Sequence, residues 1–268
     1  MTRKPFVAGQ FYPARPRELR ETLDLLMDPA AVRLKALAVV APHAGYAYSG
    51  AVAGAVFSSV SIPDTVLILG PAHRPVGPVF ALQTEGSWET PLGAVPIETG
   101  LASALLEACP ACRSDAKAHE KEHSLEVQVP FLQRLVPDVS IVPVCISHTA
   151  DYEDLEGLGK AVAESVRGFG RDVLIVASTD MSHYVSRAEA KEKDGLAIGR
   201  VLALDPEGLF RTVVRERITM CGFQPVTAAL VAARELGAVK AELVRYATSG
   251  DVTGDDREVV GYAGLRIL

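Results

Sequence analysis

The chain lacks the basic excess that a nucleic-acid partner would require. Lys plus Arg number 27 against 33 Asp plus Glu, a net charge of −6, whereas phosphate neutralisation wants a basic face. Long hydrophobic runs are missing as well: stretches such as Val173–Ala177 are far too short to cross a bilayer. Behind the basic start Met1-Thr2-Arg3-Lys4-Pro5 there is no apolar segment of signal-peptide type, so a cytoplasmic protein is expected. Cysteine is scarce. Without a secretory signal, Cys109, Cys112, Cys145 and Cys221 are read as free or ligating thiols, not as a disulfide framework. Gly77 and Gly93 fit no Walker or dinucleotide pattern, and no Gly-x-Ser-x-Gly elbow occurs. Internal repeats, low-complexity tracts and linkers are also absent, so residues 1–268 are expected to form a single domain.

What is present is an alternation of short apolar strands and helices, which points to an α/β fold. Hydrophobic residues make up 49% of the chain, enough for a substantial core. An extended arm carrying Pro5, Pro13 and Pro16 precedes an amphipathic helix over Arg17–Met27. Strands are expected at Ala36–Ala41, Thr65–Leu69, Val139–Val144, Asp172–Ala177, Ala241–Ala247 and Val259–Ile267. Helices are expected at Ser49–Val60, Gly100–Ala108, Leu125–Leu135 (with Ser124 as a cap), Glu153–Phe169, Arg187–Leu204, Pro206–Arg215 and Pro225–Leu236. The alternating segment Phe80–Glu98, with Trp88–Gly93 at its middle, reads as a β-hairpin.

Functional residue types gather just past strand ends, where open α/β sheets bind ligands. His43 follows the first strand, His73 the second, and Asp180 with His183 the fourth. Cys145 and His148 follow the third. Cys221 stands at a helix start, where the helix dipole favours a thiolate. Two neutral imidazoles and a thiolate make a three-ligand site suited to Fe(II), Cu or Zn. In the polar stretch Ala118–Glu126, His123 abuts a helix start and is the functional candidate, whereas His119 reads as a surface residue. Cys109-Pro110-Ala111-Cys112 has redox or zinc-pair spacing, but it stands at the end of a helix and reads as a helix-terminal loop.

Six ordered motifs together resemble the Memo family, whose prokaryotic members are also called AmmeMemoRadiSam system protein B. They are Val7-Ala8-Gly9-Gln10-Phe11-Tyr12-Pro13, Pro42-His43-Ala44-Gly45-Tyr46, Gly70-Pro71-Ala72-His73, Glu122-His123-Ser124-Leu125-Glu126, Ser178-Thr179-Asp180-Met181-Ser182-His183-Tyr184 and Cys221-Gly222. The resemblance implies a fold like the class III (LigB-like) extradiol dioxygenases, an α/β/α sandwich around a central mixed sheet. It further implies His43, His73 and Cys221 as ligands of Fe(II) or Cu, with Zn as a further candidate. His183 takes the acid/base position, and Asp180 and His123 line the same pocket. A thiolate replaces the carboxylate ligand of the dioxygenases, which changes the preferred metal and its redox behaviour. An AMMECR-family protein and a radical-SAM enzyme are the implied partners.

Three functions compete at this level. The first is a metal-dependent redox protein or oxygenase in which His183 moves protons. The second is a non-catalytic module that holds a peptide or protein in a vestigial pocket. The third is a cysteine hydrolase or transferase using Cys221, His183 and Asp180.

Overall fold

The computed structural model describes residues 2–74 and 77–268. In chain order it begins with β1 (Thr2–Arg3), α1 (Pro16–Leu26), β2 (Ala38–Ala41), α2 (Tyr46–Ser58) and β3 (Thr65–Pro71). Next come β4 (Phe80–Leu82), β5 (Ser87–Thr90), β6 (Gly93–Pro96), α3 (Thr99–Ala108), β7 (Cys112–Ser114) and α4 (Val129–Leu135). β8 (Ser140–Ile146), α5 (Tyr152–Phe169), β9 (Val173–Ser178), β10 (His183–Val185), α6 (Arg187–Leu202) and α7 (Pro206–Arg215) follow. The chain closes with α8 (Phe223–Glu235), β11 (Ala241–Thr248), α9 (Gly250–Thr253) and β12 (Val259–Ile267).

A nine-stranded mixed sheet runs β10-β12-β2-β9-β3-β8-β4-β7, with β11 also paired to β12. Its middle, β2-β9-β3-β8, is parallel, and these strands are buried along almost their whole length. Strands covered on both faces read as continuous apolar runs, and these do. The crossover β2-α2-β3 moves along the sheet in one direction and β8-α5-β9 in the other. Because such crossovers are right-handed, α2 and α5 lie on opposite faces. The result is the expected α/β/α sandwich. Helix α5 starts on a capping box, Asp151 with Asp154, and stops at Gly170 in the left-handed region (φ 72°). At Gly54 of α2 a Cβ would stand 2.1 Å from the Leu26 carbonyl oxygen, so only glycine lets α1 end against α2.

Three local expectations need correction. The hairpin is confined to β5 and β6, joined through Pro91-Leu92, and it belongs to a small second sheet with β1. Phe80–Leu82 instead enters the main sheet as β4, because its side chains are apolar on both faces. The helix expected from Leu125 begins as a 3-10 turn over Glu126–Gln128, and Ser124 does not cap it: its hydroxyl donates to the Pro71 carbonyl at 3.0 Å. His119 is fully buried, not superficial. Its Nε2–H reaches the Ala81 carbonyl oxygen at 3.1 Å and its ring lies 5.7 Å from that of Trp88.

Candidate functional site

The parallel register decides which residues meet. Ala41 of β2 lies opposite Ser178 of β9, and Leu69 of β3 opposite Ala177. Two residues beyond β2 and β9, the His43 backbone N–H donates to Asp180 Oδ1 at 2.8 Å. Two residues beyond β3 stands His73. The loop before α4 brings His123 over the same edge. The ligand nitrogens of His43, His73 and His123 all lie within 4.8 Å of one another. The ring centroids are 5.1 Å apart for His43–His73, 5.5 Å for His43–His123 and 4.4 Å for His73–His123. Cys221, expected with His43 and His73, is outside that three-nitrogen set but touches it: its Sγ is 3.2 Å from His43 Nε2.

Hydrogen bonding sets the tautomers of two of these histidines. Ser178 Oγ donates its one proton to the Ser124 carbonyl at 2.7 Å and accepts from Gln128 Nε2 at 2.8 Å. Its contact with His43 Nδ1 at 2.9 Å therefore makes Nδ1 the donor and leaves His43 Nε2 with a bare lone pair. The Cys221 thiol donates to that lone pair. For His73, Nδ1–H donates to Glu122 Oε1 at 2.9 Å and the backbone N–H to Glu122 Oε2 at 2.7 Å. His73 Nε2 is thus also bare. A carboxylate behind one histidine and a saturated hydroxyl behind another is how metal-ligating imidazoles are held.

Electrostatics favour neutral rings at His43 and His123. Burial pushes His43 well below the usual histidine range, and the neighbouring imidazoles His73, His123 and His183 push the same way. Burial likewise lowers His123 to about 4, Glu122 opposing and His73 and Arg74 assisting. Burial works to raise Glu122, yet hydrogen bonding and charge from His73, the Ser124 amide and His123 hold it at about 2. Neutral His43 and His123 rings thus stand beside an ionised carboxylate, an arrangement able to receive a cation. Cys221 corrects the thiolate expectation. It precedes Gly222, the N-cap of α8, but burial raises its thiol far above the usual range, and Asp180 raises it further. The helix terminus does not outweigh that burial.

The remaining expected residues take separate places. Asp180 is buried, and burial pushes its carboxyl up to about 6 against the pull of the His43 amide and His183. His183 Nδ1–H donates to the carbonyls of Met181 and Thr219, both at 2.8 Å, so its Nε2 is the free nitrogen. The hydrolase relay of Cys221, His183 and Asp180 is not assembled. The thiol pairs with His43, and the His183 ring bonds backbone carbonyls instead of the carboxylate. His148 is exposed in the loop after β8, where its carbonyl receives Gln224 Nε2 at 3.4 Å.

Several supporting residues escaped sequence reasoning. Ser178 and Gln128 act through contacts across 50 residues or more of chain, which no local pattern announces. Glu122 sits beside His123 in a polar stretch whose charges do not by themselves distinguish a buried carboxylate from a solvated one. Behind His183, the fully buried Asp194 of α6 accepts the Ser182 N–H at 2.9 Å and the Tyr246 hydroxyl at 2.7 Å. The Gly261 backbone pins the same loop from the other side, accepting from Met181 and donating to Ser182 at 2.8 Å each. A Cβ on Gly261 would stand 2.0 Å from Asp194 Oδ2. These contacts hold a loop whose next residue, Tyr184, takes φ 56°, a costly value for a non-glycine residue.

Comparison with known proteins agrees with the sequence motifs. The family model described as "Memo-like protein" matches residues 3–266. A MEMO1 family protein of Methanopyrus kandleri is 41% identical over 279 residues, covering 99% of this chain and 98% of the relative. One from Methanothermobacter thermautotrophicus is 41% identical over 277 residues, covering 99% and 100%, and one from Aquifex aeolicus is 40% identical over 269 residues, covering 99% of each. Among solved structures, an uncharacterized Escherichia coli protein has the same fold, with a TM-score of 0.53 at 16% identity over 86% of this chain and 99% of that one. Among the described residues, no helix is long and apolar enough to cross a membrane.

Proposed function

Because the chain belongs to the Memo family, we propose that it is a metal-dependent redox protein holding Fe(II) or Cu on His43, His73 and Cys221. The observation that carries this reading is the pair of bare Nε2 lone pairs on His43 and His73, each fixed by a hydrogen bond at the opposite ring nitrogen. The donor set fits such an ion: imidazole suits both metals, and thiolate selects copper over harder cations. Bound there, such an ion would supply one-electron chemistry.

The protein's own part is positioning and proton handling. Glu122 fixes the His73 ring, and Ser178 with Gln128 fixes the His43 ring. The Cys221 thiol, protonated at neutral pH because burial raises it, gives up its proton when it becomes a ligand, so metal uptake releases a proton. His183 accepts or donates a proton at Nε2, since its Nδ1–H is committed to Met181 and Thr219. The AMMECR-family and radical-SAM partners implied by the family resemblance belong to this reading as cellular context.

A second ligand set is favoured by one observation, the 4.8 Å clustering of His43, His73 and His123, in which His123 replaces Cys221. Metal analysis of anaerobically prepared protein tests both readings. About one ion per chain is expected by the three-ligand logic, and His43→Ala or His73→Ala should abolish it. Cys221→Ser should remove it under the first set, and His123→Ala under the second. Unchanged metal content in all four variants rejects the proposal.

A further inference from the structure

Cys109 and Cys112 lie outside the site just described, and the fold gives them a geometry that their spacing alone did not. Cys109 caps α3 by donating its N–H to Leu105 at 3.0 Å, and Cys112 opens the edge strand β7. Between them the Cys112 N–H donates to the Cys109 carbonyl at 3.0 Å, which closes a four-residue β-turn. Pro110 occupies the second position of that turn, where its fixed φ is preferred. The Arg113 guanidinium clamps the turn from outside by donating to the carbonyls of Pro110 and Cys112. A turn of this kind holds its end Cα atoms within about 7 Å, and a disulfide needs about 4.4–6.8 Å. Pairing with the Cys112 side chain, the Cys112 and Ala111 amides and Arg113 bring Cys109 down to about 7 against the effect of burial, whereas Cys112 is pushed well up.

We propose that Cys109 and Cys112 are a redox-active dithiol/disulfide pair oxidised by a low-molecular-weight disulfide, with Cys109 as the attacking thiol. In the first step the Cys109 thiolate attacks one sulfur of glutathione disulfide. The S–S bond breaks, one glutathione leaves as a thiolate, and Cys109 carries the mixed disulfide. Cys112 then loses its proton, attacks the Cys109 sulfur and expels the second glutathione. The protein gives up two electrons, the oxidant is reduced to two thiols, and the two cysteine protons balance them. The new bond spans a turn that is already closed, so it fastens the end of α3 to the edge of the sheet without rearranging either. Both thiols are buried, and exchange therefore proceeds through local opening of the turn.

The test equilibrates the native full-length protein in glutathione buffers of increasing oxidised-to-reduced ratio. After an acid quench, the remaining thiols are labelled under denaturing conditions and mapped by mass spectrometry. The expected result is joint loss of label at Cys109 and Cys112, reversible on returning to reduced glutathione. Cys145, fully buried and raised by burial, should stay labelled throughout. Full labelling of Cys109 and Cys112 in the most oxidising buffer overturns the proposal, as does loss at Cys145 at the same ratio, which would reflect global unfolding. In Cys112→Ser the mixed glutathione adduct should accumulate on Cys109; faster adduct formation on Cys112 in Cys109→Ser overturns the assignment of the attacking thiol.

Discussion

Glu122→Gln should weaken metal binding by about 10–100-fold, the range typical of a partner behind a ligating histidine. The side chain is buried and its carboxylate accepts three hydrogen bonds: His73 Nδ1–H at 2.9 Å, the His73 backbone N–H at 2.7 Å and the Ser124 N–H at 2.9 Å. Gln keeps the volume but offers one carbonyl oxygen, so its amide N–H₂ must face at least one of these donors. Leaving a buried donor unpaired costs about 1–3 kcal/mol, and the ring either turns or moves its proton to Nε2, the nitrogen needed by the metal. The loss of negative charge lowers imidazole basicity as well. Affinity is read by chelator competition under anaerobic conditions, with thermal melting of the metal-free protein as the control for folding. An affinity within about twofold of wild type would refute this reasoning, because an imidazole fixed by the carboxylate cannot lose that partner without penalty.

Stability below neutral pH should depend on His119, whose ring is held by the Ala81 carbonyl outside the His43–His73–His123 cluster. Burial lowers His119 to about 4, so between that value and the ordinary 6.5 the unfolded chain binds the extra proton. The stability that His119 contributes is complete above pH 6.5 and is lost as pH falls toward 4, at most about 3 kcal/mol. His119→Gln, which keeps a donor for the Ala81 carbonyl, should flatten that limb in urea unfolding of metal-free protein; an unchanged pH slope contradicts it. Asp194→Leu should release the Ser182 loop and let the His183 ring exchange tautomers, bringing its two nitrogen NMR shifts together. Asp194→Asn retains an acceptor for Ser182 and should keep them apart. Equal spectra for wild type and Asp194→Leu would show that the carboxylate does not hold the loop.

The strand ends were the legible part. Each of the parallel strands β2, β3 and β9 is a short apolar run followed by a histidine or aspartate, and the sheet register puts those residues side by side. What sequence reasoning missed came from long-range contacts. Glu122 neighbours Lys121 and Glu120 in sequence, but the turn after β3, 49 residues away, lays His73 on it. His119 lacked any apolar periodicity, since a 3-10 turn carries it beneath Trp88 and Ala81. Cys221 was judged from its helix alone, and burial together with Asp180 reversed its ionisation. For Cys109 and Cys112 the missing fact was the closed turn, which spacing does not disclose.

The most direct measurement is metal content per chain after anaerobic purification, for wild type, His43→Ala and His73→Ala side by side. About one Fe or Cu per wild-type chain is expected, as three ligands around one ion require, and almost none in either variant. Equal metal content in all three proteins, or a metal-free wild type after anaerobic loading with Fe(II) and with Cu, would contradict it.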